Sequence, residues 1–205
     1  MRKFSVICAD PCWSFNDKLK MDEVKRGAES QYSVMSYTDI SNLPVKQLID
    51  PEGTVLALWV PSSLLEQGLN VLKAWGFQHK QTFIWVKTKK QDSVSKSYAK
   101  TKNINDCLSF GMGRLFRQSH EICLIGTSGN GIYKKLKNKS QRSVSLAPNE
   151  KHSKKPEDLQ DKLELMFPNT NKLELFARRV RKDWTCLGNE VCSGEDIRIS
   201  IEKLL

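Results

Sequence analysis

Short apolar runs, separated by amphipathic or polar stretches, divide the 205 residues into a regular series. Phe4-Ser-Val-Ile-Cys-Ala-Asp10 is apolar without alternation, the pattern of a strand buried on both faces. A loop from Gly27 to Tyr37 leads into a helix predicted from about Thr38 to Leu48. Thr54-Val-Leu-Ala-Leu-Trp-Val60 forms the second run, bounded by Gly53 and Pro61. Ser63-x-x-Glu66 has capping-box spacing and opens an amphipathic segment that runs to Trp75 and stops at Gly76. Phe83–Lys87 predicts a third strand, Glu121–Gly126 a fourth, Lys172–Phe176 a fifth and Trp184–Gly188 a sixth. Pro156 opens a helix to about Phe167, and Ser193 caps a terminal helix, Glu195 to Leu205. Uniformly apolar strands alternating with helices predict an α/β fold with a mostly parallel sheet, as one domain over 1–205. Only the stretch 88–120 breaks the rhythm. It is long, rich in Lys and Ser and poor in helix signal, and reads as a functional loop facing substrate.

The longest apolar run, Val55 to Val60, is far too short for a membrane helix. Met1-Arg2-Lys3 leads straight into the first strand, which leaves no room for a secretory leader. Six cysteines without a Cys-x-x-Cys and three scattered histidines predict no zinc site. These features together predict a reduced, cytoplasmic protein. The net charge of +10 is more informative because it is uneven. Residues 86–155 carry sixteen Lys/Arg against four Asp/Glu, and the rest carries seventeen against nineteen. The whole basic excess therefore lies in one central third. A solvated loop would explain it; so would a phosphate-facing surface including Arg114, Arg117, Lys134, Lys135 and Lys137. The missing acids, and the presence of Tyr98, Phe110, Phe116 and Tyr133 for base stacking, favour the second reading.

Asp10-Pro11-Cys12-Trp13 follows the first strand, where open α/β sheets place their ligands. A carboxylate there can accept a hydrogen bond from a planar amino group, and the Pro11 carbonyl can accept a second. The Trp13 ring can stack on a heterocycle, or it can simply be a core ring behind an Asp-Pro turn. Lys155 precedes Pro156 at a helix start, where the helix dipole disfavours a cation by about 0.3–1 kcal/mol. Such a lysine is better placed if it helps the helix terminus hold an anion such as a carboxylate. Solvated, it needs no such role.

These segments together resemble the S-adenosylmethionine-dependent amino-methyltransferases of permuted, β-type motif order, whose catalytic motif is Asp-Pro-Pro-Trp or a close relative. Within that group the chain is most similar to the adenine-N(6) methyltransferase family typified by the catalytic subunit of the eukaryotic messenger-RNA methylase. The shared stretches are Ala9–Trp13, Leu58–Val60, Trp75-Gly76, Ile84–Lys87, His120–Gly126, Lys155-Pro156, Leu173–Arg178 and Trp184-x-x-x-Gly-Asn189, collinear over nearly the whole chain. The resemblance implies a Rossmann-like methyltransferase fold and S-adenosylmethionine as cofactor. It implies that Asp10 and the Pro11 carbonyl hold the target amine, with Trp13 beside the base. By the same likeness Lys155 would hold the methionine carboxylate, and Glu174, Phe176, Arg178, Asn189 and Glu190 would line the adenosine half, with Asp10 at its edge. Tyr32 and Lys87 fall at substrate-side positions. The chain departs from the family at Cys12, which replaces the second proline; it lacks a paired base and is not read as a nucleophile. It also lacks the family's segment ahead of the first strand, and its turn after Arg178 is short.

The expected reaction is methyl transfer to the exocyclic amine of adenine in DNA, in a base flipped out or single-stranded. RNA is the alternative substrate, and a silent nucleic-acid-binding partner subunit is a further one. The absence of appended RNA-binding modules tilts the expectation to DNA. Family members often pair, so a homodimer or a related partner subunit is expected as well.

Overall fold

The computed structural model describes residues 2–14, 35–111, 113, 115–149, 154–191 and 194–205. Its strands are β1 (Val6–Ala9), β2 (Thr54–Val60), β3 (Gln78–Thr88), β4 (His120–Ser128), β5 (Val144–Pro148), β6 (Lys172–Leu175) and β7 (Trp184–Leu187). Its α-helices are α1 (Tyr37–Ser41), α2 (Leu65–Ala74), α3 (Gln91–Thr101), α4 (Ile132–Lys135), α5 (Asp158–Met166) and α6 (Ile197–Glu202). The strand order is β5-β3-β4-β2-β1-β6-β7. None of the described helices is long and apolar enough to cross a membrane. The residues fall into two compact units, 1–81 with 124–135 and 169–205, and 82–123 with 136–168.

In the first unit β1 is the middle strand. It pairs in parallel with β2, Val6 opposite Val55 through Ala9 opposite Leu58, and with β6, Val6 opposite Lys172 through Ala9 opposite Leu175. β7 extends the row in parallel from β6. Every residue of β1 and β2 is buried, which is why both read as unbroken apolar runs. Each fully buried large aliphatic side chain contributes about 1.5–3 kcal/mol. Helix α2 lies close on β2 because Gly68 has no side chain. A Cβ there would stand 2.6 Å from the Val60 methyls. The buried Trp75 indole donates to the Ile40 carbonyl at 2.9 Å and ties α2 to α1.

Local details depart from the sequence expectation in physically readable ways. The helix predicted over 38–48 is broken. α1 ends at Ser41, Pro44 cannot continue a helix behind it, and Val45–Leu48 forms a separate 3-10 turn. The predicted capping box does not form. Ser63 is taken into a 3-10 turn, Ser62–Leu64, and no side chain caps α2. The terminal helix is shorter than predicted and is capped by Asp196; Ser193 lies outside the described residues.

The second unit holds most of the basic excess. The stretch read as a loop over 88–120 contains helix α3 and a 3-10 turn, Ile104–Cys107. No Gly or Pro interrupts residues 89–109, so a polar helix forms there without an apolar face to announce it. It ends at Lys102, whose backbone is left-handed at φ 57. No apolar run in the sequence predicts β5. It pairs in parallel with β3, Ile84 opposite Val144 through Thr88 opposite Pro148. Its apolar residues Val144 and Leu146 are exposed, so its position rests on backbone pairing and on the Trp85 indole bond to the Ala147 carbonyl at 3.0 Å.

Two features of the first unit position its functional edge. At the entry end of the strands, Lys135 donates to Asp50 at 2.6 Å and stands 3.0 Å from Glu52, while Ser5 donates to Asp50 at 2.7 Å. Burial works against the Asp50 charge, but the Lys135 and Ser5 hydrogen bonds outweigh it and hold the carboxyl below the usual range. At the exit end, the Ala177 N–H donates to the Leu187 carbonyl at 2.8 Å. A Cβ on Gly188 would stand 2.2 Å from the Ala177 oxygen, so only glycine fits there.

Gly188→Ala is expected to cost about 1–3 kcal/mol, the range for an extra methyl forced into packed structure, read as a lower denaturant midpoint. An unchanged midpoint would show that the two strand ends separate freely. Asp50→Asn should cost a similar ~1–3 kcal/mol at neutral pH by removing a charged hydrogen-bond partner of Lys135. Because the folded-state pKa of Asp50 lies below 3.8, its contribution is full above that pH and is lost as pH falls through the folded value. The stability gap between wild type and Asp50→Asn should therefore close in acid, and a gap that widens would reverse the sign.

Candidate active site

Asp10 stands immediately beyond β1, at the carboxyl edge of three neighbouring parallel strands. The turn behind it is clamped on both sides. Met35 donates to the Cys12 carbonyl at 2.9 Å, and Ser14 donates to the Met35 carbonyl at 3.1 Å. The Trp13 N–H donates to the Pro11 carbonyl at 3.0 Å, which occupies one of that oxygen's two acceptor positions. The Trp13 side chain is only 5% exposed, and its indole N–H donates to the Trp59 carbonyl at 3.0 Å. Of the two roles open to Trp13, the structure shows the core ring. A buried indole needs an acceptor, and the one it finds lies in β2.

The same edge continues across β6 and β7. β6 leaves the sheet through Phe176, a bulky residue held left-handed at φ 62. Such backbone costs about 1–3 kcal/mol and marks places where the surroundings over-determine the chain. Beyond it Arg178 lies 3.8 Å from Glu190, which with Asn189 follows β7. Asp10, Cys12, Met35, Phe176, Ala177, Arg178, Asn189 and Glu190 line one open cavity of about 150 Å³. Asp196, Ile197 and Arg198, from the start of α6, complete its wall.

The cavity thus gathers Asp10, Phe176, Arg178, Asn189 and Glu190, each expected there from sequence. Glu174 is not on its wall. It sits inside β6 between Cys8 and Cys186, where its charge adds to the burial that pushes the Cys186 thiol up. Met35, Asp196, Ile197 and Arg198 were missed. No local signal marks them, because only the tertiary fold brings their elements to this edge. The donor set fits a nucleoside cofactor with a cationic centre. Asp10, Glu190 and Asp196 favour positive charge, Asn189 and Arg178 offer donors, and Phe176, Met35 and Ile197 supply apolar surface.

The second unit has its own charged centre. Lys87, only 9% exposed, lies 2.7 Å from one Glu121 oxygen, and Lys155 lies 3.3 Å from the other. Burial pushes the Glu121 carboxyl up, but the Lys155 charge and the Lys87 hydrogen bond outweigh it and hold the group below the usual range. At the approach to α5 Lys155 thus faces a carboxylate side chain of its own unit. Lys154, Lys155, Pro156 and Glu157 line a further cavity with Ala147 and Pro148.

The other expected substrate contacts divide. Tyr32 and Arg114 lie outside the described residues. Lys134 and Lys137 are exposed, whereas Lys135 is held by Asp50 and Glu52. The Arg117 guanidinium lies 5.9 Å from the centre of the Phe110 ring, and Phe116 is 89% exposed. Tyr98 and Tyr133 are exposed as well.

The chain is 29% identical over 191 residues to the probable N(6)-adenosine-methyltransferase MT-A70-like of Oryza sativa subsp. japonica, covering 92% of this chain and 23% of that protein. It is 29% identical over 198 residues to the N(6)-adenosine-methyltransferase catalytic subunit METTL3 of Homo sapiens, covering 92% of this chain and 28% of that one. It is also 31% identical over 130 residues to the N6-adenosine-methyltransferase non-catalytic subunit MTB of Arabidopsis thaliana, covering 62% of this chain and 14% of the relative. The chain therefore spans about a quarter of the length of the catalytic relatives it matches. The MT-A70 family model matches residues 4–190, which takes in most of the chain. The chain belongs to the MT-A70 family of Rossmann-like methyltransferases, which take their methyl group from S-adenosylmethionine.

Proposed function

We propose that this chain methylates the exocyclic amine of adenosine in RNA. The observation that carries the reading is the single cavity in which Asp10 meets Phe176, Arg178, Asn189 and Glu190 at the carboxyl edge of β1, β6 and β7. The Oryza sativa and Homo sapiens relatives named above are N(6)-adenosine-methyltransferases, and adenosine within a polymer is a unit of RNA. That favours RNA over the DNA expected from the chain's modest size, since size is no property of the site.

S-adenosylmethionine supplies an electrophilic methyl group when bound. The residues of this chain must then align the amine and localise its lone pair, which is delocalised into the purine ring. Asp10 accepts from the amine and stabilises positive charge as it develops there. The Pro11 carbonyl has one acceptor position left for the same task, because Trp13 uses the other. Trp13 acts through the turn, fixing Asp10 by its bond to β2. Asn189, Glu190 and Arg178 hold the nucleoside half of the cofactor, beside Phe176. Lys155 is assigned the methionine carboxylate, and Lys87 the substrate side, and Glu121 pairs with both ammonium groups. The exposed Lys134 and Lys137, with Arg117, hold phosphates. A related partner subunit or a second copy, and a cytoplasmic location, complete the proposal.

The test is nucleoside mass spectrometry after incubation with S-adenosylmethionine and matched single strands of RNA and DNA. N6-methyladenosine from RNA alone supports the reading. Product from DNA alone would return the substrate to DNA. Asp10→Ala should lower the rate by about 100- to 1,000-fold, the usual loss for one electrostatic stabiliser. Asp10→Asn should do nearly as much, while Cys12→Ser should keep activity. An Asp10→Ala protein that methylates at the wild-type rate would reduce the motif to a structural turn. Separately, Lys134→Glu with Lys137→Glu should weaken binding to all sequences and flatten its salt dependence by about one unit per lost phosphate contact. Lys135 is excluded from that pair because it holds Asp50.

A further inference from the structure

The family match ends at residue 190, yet the cavity does not. Its remaining wall is Asp196, Ile197 and Arg198, from a helix that the match leaves unaccounted for. We propose that Arg198 is an affinity-determining residue for the nucleoside half of the cofactor, stacking its guanidinium on the adenine ring, and that Asp196 aims it. The proposal rests on the reading of this cavity as the cofactor site.

Three observations carry it. The backbone of α6 is fixed. Ile197 and Ile201 are buried, the Asp196 carboxylate accepts from the Arg198 N–H at 2.8 Å, and Ser200 donates to Glu195 at 2.7 Å. The Arg198 side chain is the opposite, 55% exposed while lining the cavity. Its Nε lies 3.6 Å from Asp196, a contact that biases its direction without burying it. The third is the chemistry of the wall. Phe176, Met35 and Ile197 offer apolar surface to a flat ring, and Arg178 has Glu190 as an ion partner. Arg198 contributes a planar, weakly hydrated cation to that wall. A guanidinium stacks well on a heterocycle, whereas a lysine ammonium does not.

Calorimetry with S-adenosylhomocysteine and with adenosine tests this directly, alongside thermal unfolding to confirm an intact fold. Arg198→Ala should weaken both ligands about tenfold, ~1.4 kcal/mol, with melting unchanged. Arg198→Lys should recover little, because it restores charge and not planarity. RNA binding without cofactor should be unaffected by either change. Equal affinity for S-adenosylhomocysteine in wild type and Arg198→Ala overturns the proposal and leaves the cofactor reading standing. Weaker RNA binding with unchanged nucleoside affinity overturns it too, and turns this wall toward the substrate. If the wild type binds neither ligand, the reading of the cavity falls first and this inference with it.

Discussion

Everything at the functional edge depends on the double pairing of β1. Its four residues are matched one for one with β2 on one side and β6 on the other, all parallel. Parallel pairing sends the chain out of all three strands at the same edge. Asp10 must therefore emerge beside the exit of β6, and the exit of β7 follows because β7 pairs with β6 in the same sense. The remaining adjustment is made by Gly188 and the Ala177–Leu187 hydrogen bond, which close the last gap and hold Phe176 in its left-handed turn. The cavity is a consequence of strand direction before it is a consequence of any side chain.

That logic explains what the sequence made legible. β1, β2 and β6 lie inside the sheet, so their environment is apolar on both sides and their letters say so. Asp10, Phe176 and Arg178 are legible because they directly follow β1 and β6, and Asn189 and Glu190 because they follow the short run of β7. β5 and α3 were not found, and both lie where burial has little say. β5 turns Val144 and Leu146 outward and is held by its backbone, and α3 carries no apolar stripe. The same reasoning covers the missed wall of α6. Ile197 and Ile201 mark the helix as buried, but nothing in its letters states what the helix is buried against. Trp13 shows the reverse difficulty. A large flat ring beside an acid at a strand end suggests stacking, yet the acceptor for its indole N–H lies in the core.

Charge was the coarsest guide. A surplus of twelve positive charges over residues 86–155 suggests a broad phosphate-binding face. Three of those lysines face carboxylates of their own chain instead. Lys87 and Lys155 share Glu121, and Lys135 is divided between Asp50 and Glu52. Two of these three acids lie outside the basic third, and the one inside it neutralises two lysines at once. A window of sequence cannot show that, because the pairing spans up to 85 positions of chain. Lys134, Lys137 and Arg117 belong to the exposed remainder of that surplus.

The pairing with Glu121 also bears on what cofactor or substrate binding must cost. Glu121 is charged, largely buried and held below its usual pKa by two ammonium groups. An anionic ligand that draws Lys155 away leaves Glu121 with Lys87 alone, and removing one partner from a buried charge is destabilising. Binding at Lys155 is therefore favourable only if the ligand's carboxylate or phosphate replaces most of what Glu121 gives up, or if both acids share the lysine. Sharing is the cheaper arrangement, since an ammonium carries three donors and need not give up one acid to meet another. In that arrangement Glu121 holds Lys155 in place ahead of any ligand, so the cation needs no reorganisation at the moment of binding.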